Sequence, residues 1–183
     1  MAAPPEVNLN QLDGKFMLNK KLSDSFDALL ALQGVSWAVR KAASYATPRL
    51  TIKSATRLED SMICLEIHAV VIGSGSTDNV SLDWSTVDKT DSLLGDYKAK
   101  MGWSTAAELS EDVLRDGVLN AGGTLDAKYI RIVIESSRDG MVGEHVWSFE
   151  SVDGVRRYVR RLAVRKGEKV VMAKSVYDYT GKV

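Results

Sequence analysis

From Arg49 onward the chain is a succession of strand-length runs separated by turn residues, and that pattern leaves few folds open. The runs are 49–55 (RLTIKSA), 62–72 (MICLEIHAVVI), 79–87 (NVSLDWSTV), 92–103 (SLLGDYKAKMGW), 128–136 (KYIRIVIES), 144–152 (EHVWSFESV), 155–165 (VRRYVRRLAVR) and 170–179 (VVMAKSVYDY). Between them lie GSGSTD, SSRDGMVG, DG and KGE, and Asp153-Gly154 between two alternating runs is a strong hairpin signal. An open meander would leave a row of unpaired backbone groups on each edge, and closing the sheet on itself removes both rows. The expected fold is all-β: an up-and-down antiparallel β-barrel of about nine or ten strands.

Before the meander come a strand at 14–22 (GKFMLNKKL) and two short helices. The first helix has Ser23 or Ser25 as a cap, Asp24 and Asp27 in its first turn, and an apolar face of Phe26, Leu29, Leu30 and Leu32. Gly34 breaks it, and a second helix at 35–45 stops before Pro48. The two form a lid after the first strand. They lack the basic recognition face of a DNA-reading helix pair. Residues 1–12 carry two of the three prolines and no periodicity, and are expected to be a flexible arm ahead of a single barrel domain at 13–183. Within that domain, 104–127 interrupts the strands. Thr105 and Glu108 have capping-box spacing, and Leu109, Val113 and Leu114 have helical spacing, so an inserted helix is expected there. It is a lid, a partner surface or an elaborated connection.

Charge and cysteine usage exclude several classes. The 24 basic and 24 acidic side chains cancel, which argues against nucleic acid as a partner. A single cysteine, Cys64, forms no internal disulfide and suits a reducing compartment. No apolar run reaches the length of a membrane span, so no stable membrane insertion is expected. The N-terminus lacks a secretory pattern, so the expected location is the cytoplasm. Two histidines, His68 and His145, make a metal site poorly supported, and no P-loop, G-x-S-x-G elbow or redox-cofactor motif is present. Neither metal nor cofactor is expected.

A strand, two short helices and a β-meander, in that order, resemble the intracellular fatty-acid-binding proteins of the calycin, or lipocalin-like, group. Gly14-Lys15-Phe16-Met17-Leu18 looks like that family's G-x-W-x-L opening. Ser25-Phe26-Asp27 through Gly34-Val35, Arg40-Lys41 and Pro48 resembles its N-F-D…G-V…R-K…P run without a gap, and His145 to Gly154 with Val176-Tyr177-Asp178 looks like its last strands. The match covers 13–55 and 128–180. The resemblance implies a ligand cavity and a carboxylate clamp of two arginines and a tyrosine. Here the arginine positions fall on Phe149 and on Ser175 (Lys174 if the last strand is shifted by one), and only Tyr177 persists. Without that guanidinium fork a fatty-acid head group does not follow.

Side chains on a barrel strand alternate between lumen and exterior. One parity of the strand around 145–151 holds His145, Trp147, Phe149 and Ser151; one parity of the next holds Arg156, Tyr158, Arg160, Leu162 and Val164. The other face of that strand, Arg157, Val159, Arg161, Ala163 and Arg165, looks like a solvated exterior. The last strand contributes Val171, Ala173, Ser175 and Tyr177. Trp84, with Val80 and Leu82, and the set Tyr97, Met101 and Trp103 complete the apolar faces. Candidate ligand contacts are therefore Trp84, Tyr97, Trp103, Trp147, Phe149, Tyr158, Arg160, Ser175, Tyr177 and, at the portal, Trp37. Each aromatic also has a plain reading as barrel core. Arg160 is less easily idle, because a buried guanidinium needs a partner; Glu66 and Asp83 are alternatives to a ligand.

Two functions follow from such a lumen. The first is a carrier or sequestering protein for a lipophilic small molecule. The alternative is a cofactor-independent isomerase or cyclase, including pericyclic, Diels–Alder-type chemistry, acting on a hydrophobic polyketide- or terpenoid-like substrate. In that case His145 is a candidate acid or base, with Tyr177 and Arg160 donating hydrogen bonds to an oxygen. His68 shares a strand face with Glu66, a possible second proton-transfer pair. A third reading, a barrel whose inserted helix binds another protein, has only the insert in its favour. Oligomeric state is not readable.

Overall fold

The meander does close almost completely. The computed structural model describes residues 1–71, 74–91 and 95–183. Its elements are β1 (Gly14–Leu18), α1 (Asp27–Leu32), α2 (Trp37–Tyr45), β2 (Arg49–Thr56), β3 (Ile63–Val71), β4 (Ser74–Ser81), β5 (Asp83–Asp91), β6 (Gly95–Thr105), α3 (Asp112–Asn120), β7 (Lys128–Ser136), β8 (Val142–Val152), β9 (Val155–Lys166) and β10 (Lys169–Gly181). The ten strands make one antiparallel sheet in the order β4-β3-β2-β1-β10-β9-β8-β7-β6-β5. Its two ends, β4 and β5, form no ladder with each other among the described residues, and the Asp78–Lys89 ion pair crosses between them. The turn expected at Gly73 and the strand start expected at Ser92 lie outside the described residues.

The run expected as one strand at 79–87 is two. Leu82 is buried at the corner and donates its backbone N–H to Ile63 O (3.0 Å), which separates β4 from β5. Two residues on, Trp84 has φ +61°, and the β5–β6 register slips between Asp83 and Thr86. The Asp153-Gly154 signal was accurate: both residues have positive φ (51° and 70°), as a two-residue hairpin turn between β8 and β9 requires.

One end of the barrel is packed solid. Phe16, Leu50, Ile52, Leu65, Ile130 and Tyr158 form its core, with Tyr158 at the centre of four ring contacts (5.1–6.0 Å between centroids) to Phe16, Trp147, Phe149 and Tyr177. Residues 1–12 are not a loose arm here. Ala3, Val7 and Leu12 are buried in that core, Ala3 N donates to Arg156 O, and the Arg156 guanidinium donates to the carbonyls of Ala3, Pro4 and Val7. The segment therefore seals the end of the barrel near Arg156. At the other end, Leu29 of α1 packs with Met141, Val164 and Ala173. Ser23 does not cap α1; its hydroxyl accepts from Val176 N, while Ser25 Oγ accepts from Asp27 N.

The insert lies outside the barrel. Leu114 and Val118 of α3 pack with Ala106, Leu109, Val146 and Ala163. The outer face of β9 is consequently not solvated along its length. Arg161 and Ala163 are buried, and Arg161 forms a two-pronged ion pair with Glu150 (Nη2–Oε2 2.9 Å). Gly117 makes this possible, since a Cβ there would stand 3.0 Å from Arg161 Nε. At the start of α3, Glu144 accepts the N–H groups of Ser110 and Glu111 (3.1 and 3.0 Å) and pairs with Arg131, a negative charge placed where a helix favours one. No helix among the described residues is long and apolar enough to cross a membrane.

Candidate functional site

Strand register gathers the polar groups of the lumen. Trp147 on β8 is directly opposite Arg160 on β9, His145 opposite Leu162 and Phe149 opposite Tyr158. On the other side of β9, Ser175 and Tyr177 of β10 oppose Arg160 and Tyr158. The alternation of each strand then turns all of these to one surface. The result is a cation in an aromatic cage: the Arg160 guanidinium carbon is 3.9 Å from the Trp147 ring centroid, 5.1 Å from that of Tyr158 and 5.7 Å from that of Tyr177. Arg160 Nε donates to the Tyr158 hydroxyl at 2.8 Å.

Two cavities flank this cage. One, of about 330 Å³, opens at the β4–β5 seam and is walled by Ile67, Val80, Tyr97, Met101, Ile132 and Ile134, with His145, Trp147 and Arg160 on its inner side. The other, of about 540 Å³, lies under α1 and α2 and reaches Ser175 and Tyr177. Two buried donors at the cage, Arg160 Nη2 and Trp147 Nε1, have no hydrogen-bond partner among the described residues. The alternatives raised for Arg160 fail: Glu66 pairs with Lys53 (2.7 Å), and Asp83 accepts from Ser85 N (2.9 Å).

Electrostatics set the protonation states. Burial, then the Arg160 charge, push the His145 imidazolium down to about 3, so the ring is neutral near pH 7 and is no general acid there. Burial raises the Tyr158 hydroxyl against the opposing pull of Arg160, so it stays protonated. His68 is outside: its Nδ1 is 2.9 Å from Thr77 Oγ1, it is exposed, and Glu66 beside it is engaged by Lys53. Those two are not a lumenal pair. Among the described residues no three His, Cys, Asp or Glu side chains gather as metal ligands.

The candidate contacts distribute unevenly. Tyr97, Trp147 and Arg160 face the seam-side cavity, and Ser175 and Tyr177 the helix-side one. Ser175 lines the helix-side cavity, so Lys174 beside it on β10 takes the opposite face. Trp103, Phe149 and Tyr158 are packed in the solid end, Phe149 under the Arg156 guanidinium at 4.2 Å. Trp84 is a correction. Its left-handed backbone breaks the alternation, and its ring lies outside, over Gly102 and 5.8 Å from the Arg131 guanidinium. Trp37 is another: it is 69 % exposed on α2 and does not line the helix-side cavity. The seam-side wall from β7 was missed, although Ile130, Ile132 and Ile134 alternate plainly in KYIRIVIES.

A nearly closed ten-stranded antiparallel barrel, with two helices after its first strand and a lumenal cavity, defines the class of fold: that of the fatty-acid-binding proteins. Solved structures agree. As-p18, an extracellular fatty acid binding protein, superimposes with TM-score 0.57 at 11 % identity, covering 91 % of this chain and 94 % of that one. Zebrafish ileal bile acid-binding protein complexed with cholic acid gives TM-score 0.54 at 8 % identity, over 92 % and 98 %. In sequence, the chain is 29 % identical over 185 residues to pericyclase pydY of Acremonium sp., spanning 99 % of this chain and 98 % of that protein. It is equally 29 % identical to the probable pericyclase scpY of Mollisia scopiformis, over 98 % and 95 % of the two chains. No family model matches the chain.

Proposed function

We propose that the barrel takes a lipophilic small molecule into the seam-side cavity and accelerates a pericyclic bond formation within it. The observation that carries this is the cavity itself: about 330 Å³, walled largely by apolar side chains with Asp78, Lys89 and Lys100 also in its lining, and with the Arg160 cation–aromatic cage beside it. That volume is in the range of small-molecule sites, which run from about 300 to 1,000 Å³. A pericyclic step moves electrons around one ring and needs no nucleophile or proton shuttle. The protein's share is to hold a flexible chain in its reactive conformer and to polarise it. A neutral His145 and a protonated Tyr158 suit such a role better than acid–base chemistry. In this reading His145 is a wall residue, Arg160 the polarising donor and Tyr177 a positioning residue. Similarity along nearly the whole chain to a pericyclase and to a probable pericyclase supports the choice. The half-buried thiol of Cys64 fits a reducing, cytoplasmic setting.

A carrier shares the binding step, and the larger helix-side cavity is the feature in its favour. The two readings part on what happens to the guest. Purified protein is incubated with a hydrophobic chain bearing a conjugated diene and a tethered electron-poor alkene, and products are resolved by chiral chromatography and mass spectrometry. One stereoisomer formed above the thermal background supports the pericyclase. A stoichiometric guest returned unchanged supports the carrier.

A further inference from the structure

We infer that the inner side of the seam-side cavity binds one carbonyl or enolate oxygen of the guest, held jointly by Arg160 Nη2 and Trp147 Nε1. This rests on the cavity being the guest site. Both donors are buried and lack an acceptor among the described residues. A buried donor left unpaired costs about 1–3 kcal/mol, more when charged, so such a pair at a cavity wall is arranged for something that arrives. The two residues are directly opposed in the β8–β9 ladder, stacked with guanidinium carbon and ring centroid 3.9 Å apart, and both belong to the lining of this cavity.

The count of donors selects the ligand. Arg160 Nε is already spent on the Tyr158 hydroxyl, which closes the side-on Nε–Nη2 fork to a carboxylate; of the remaining end-on Nη1–Nη2 edge, Nη2 is a buried unpaired donor on a guanidinium stacked against the indole. One N–H from Arg160 and one from the indole instead match the two lone pairs of a single oxygen. Trp147, Tyr158 and Tyr177 surround the cation and hold it in place. No ion pair to a carboxylate neutralises it among the described residues, and a neutral His145 adds no second charge. Negative charge gathering on that oxygen is therefore stabilised by groups already in position. The substrate class is a conjugated ketone, ester or amide whose alkene lies along Met101 and Ile132. Polarising its carbonyl makes the alkene more electrophilic; the three π bonds of diene and alkene are consumed as two carbon–carbon σ bonds and one new π bond form, and no atom leaves.

Three naphthalene probes of one skeleton test this: acetyl-dimethylaminonaphthalene, its ethyl analogue without the oxygen, and the corresponding carboxylate. The ketone is expected to bind about tenfold tighter than the ethyl probe, with its carbonyl stretch moved to lower frequency. Trp147→Phe, which keeps an aromatic ring and removes the N–H, and Arg160→Met should each erase most of that preference and reverse the infrared shift. Because both residues line the cavity, the readout is the ratio of ketone to ethyl-probe affinity, which should fall toward one in each variant. Should Arg160→Met fail to fold, Trp147→Phe carries the comparison. Equal binding of ketone and ethyl probe, an unshifted carbonyl, or a strong preference for the carboxylate overturns the oxygen site while leaving the cavity reading intact. Binding of none of the three overturns both.

Discussion

Arg160 and Trp147 face each other across the β8–β9 ladder with guanidinium carbon and indole centroid 3.9 Å apart. A guest entering the seam-side cavity meets this pair, whereas Trp37 is remote from it and 69 % exposed. Guest binding should therefore change tryptophan emission through Trp147. A Trp37→Phe variant should keep the full change and a Trp147→Phe variant should lose most of it, as read by fluorescence titration with a non-absorbing ligand.

His145 should make folding acid-sensitive. Its imidazolium is held down to about 3 in the folded chain against about 6.5 unfolded. Between those values the unfolded state binds a proton that the folded state does not. Stability from this group is complete above about pH 6.5 and is lost as pH falls toward 3, by at most about 1.4 kcal/mol per pH unit. Urea denaturation across pH 4–7 should show this slope, and His145→Gln should flatten it.

Much of this architecture was legible in the strand runs and the Asp153-Gly154 turn, because period-two alternation and hairpin chemistry are local. The inward parity of Trp147, Arg160 and Tyr177 came from the same alternation. What escaped were effects of distant chain segments. One positive φ at Trp84 turns that side chain to the outside. Burial of Arg161 depends on α3 folding back over β9, and order in residues 1–12 depends on Arg156, about 150 positions away. No short-range pattern encodes those meetings. Trp37 stands at a portal only by resemblance, and its ring on α2 is turned to solvent.

The Glu150–Arg161 pair under α3 should be costly to halve. Glu150→Gln leaves a buried guanidinium without its carboxylate, and removing one partner of a buried pair destabilises by about 3–5 kcal/mol. Replacing both partners, as in Glu150→Leu with Arg161→Met, should recover a large part of that loss in denaturant titrations.

Arg156→Met should loosen the sealed end. Three backbone carbonyls lose the guanidinium donor at once, Pro4 O keeping only its bond from Val7 N, with an expected cost of about 1–3 kcal/mol. Limited proteolysis should then cut within the first twelve residues at protease levels that spare the parent chain.

Gly102→Ala tests the outward position of Trp84. A Cβ at Gly102 would stand 2.3 Å from the indole nitrogen, so the ring must leave and its bond to Trp103 O must break. The expected loss is about 1–3 kcal/mol of stability with probe affinity unchanged, because this ring is not in the lumen. A fall in affinity instead would place Trp84 at the cavity.

The unpaired joint between β4 and β5 bears on what this molecule tolerates. Elsewhere the girth of the hoop is pinned by backbone ladders, each a series of bonds that must break together. At the joint, among the described residues, it is pinned by side chains and one partly exposed ion pair, Asp78–Lys89, a contact worth about 1 kcal/mol or less. The circumference can therefore widen at that single place without surrendering a backbone bond.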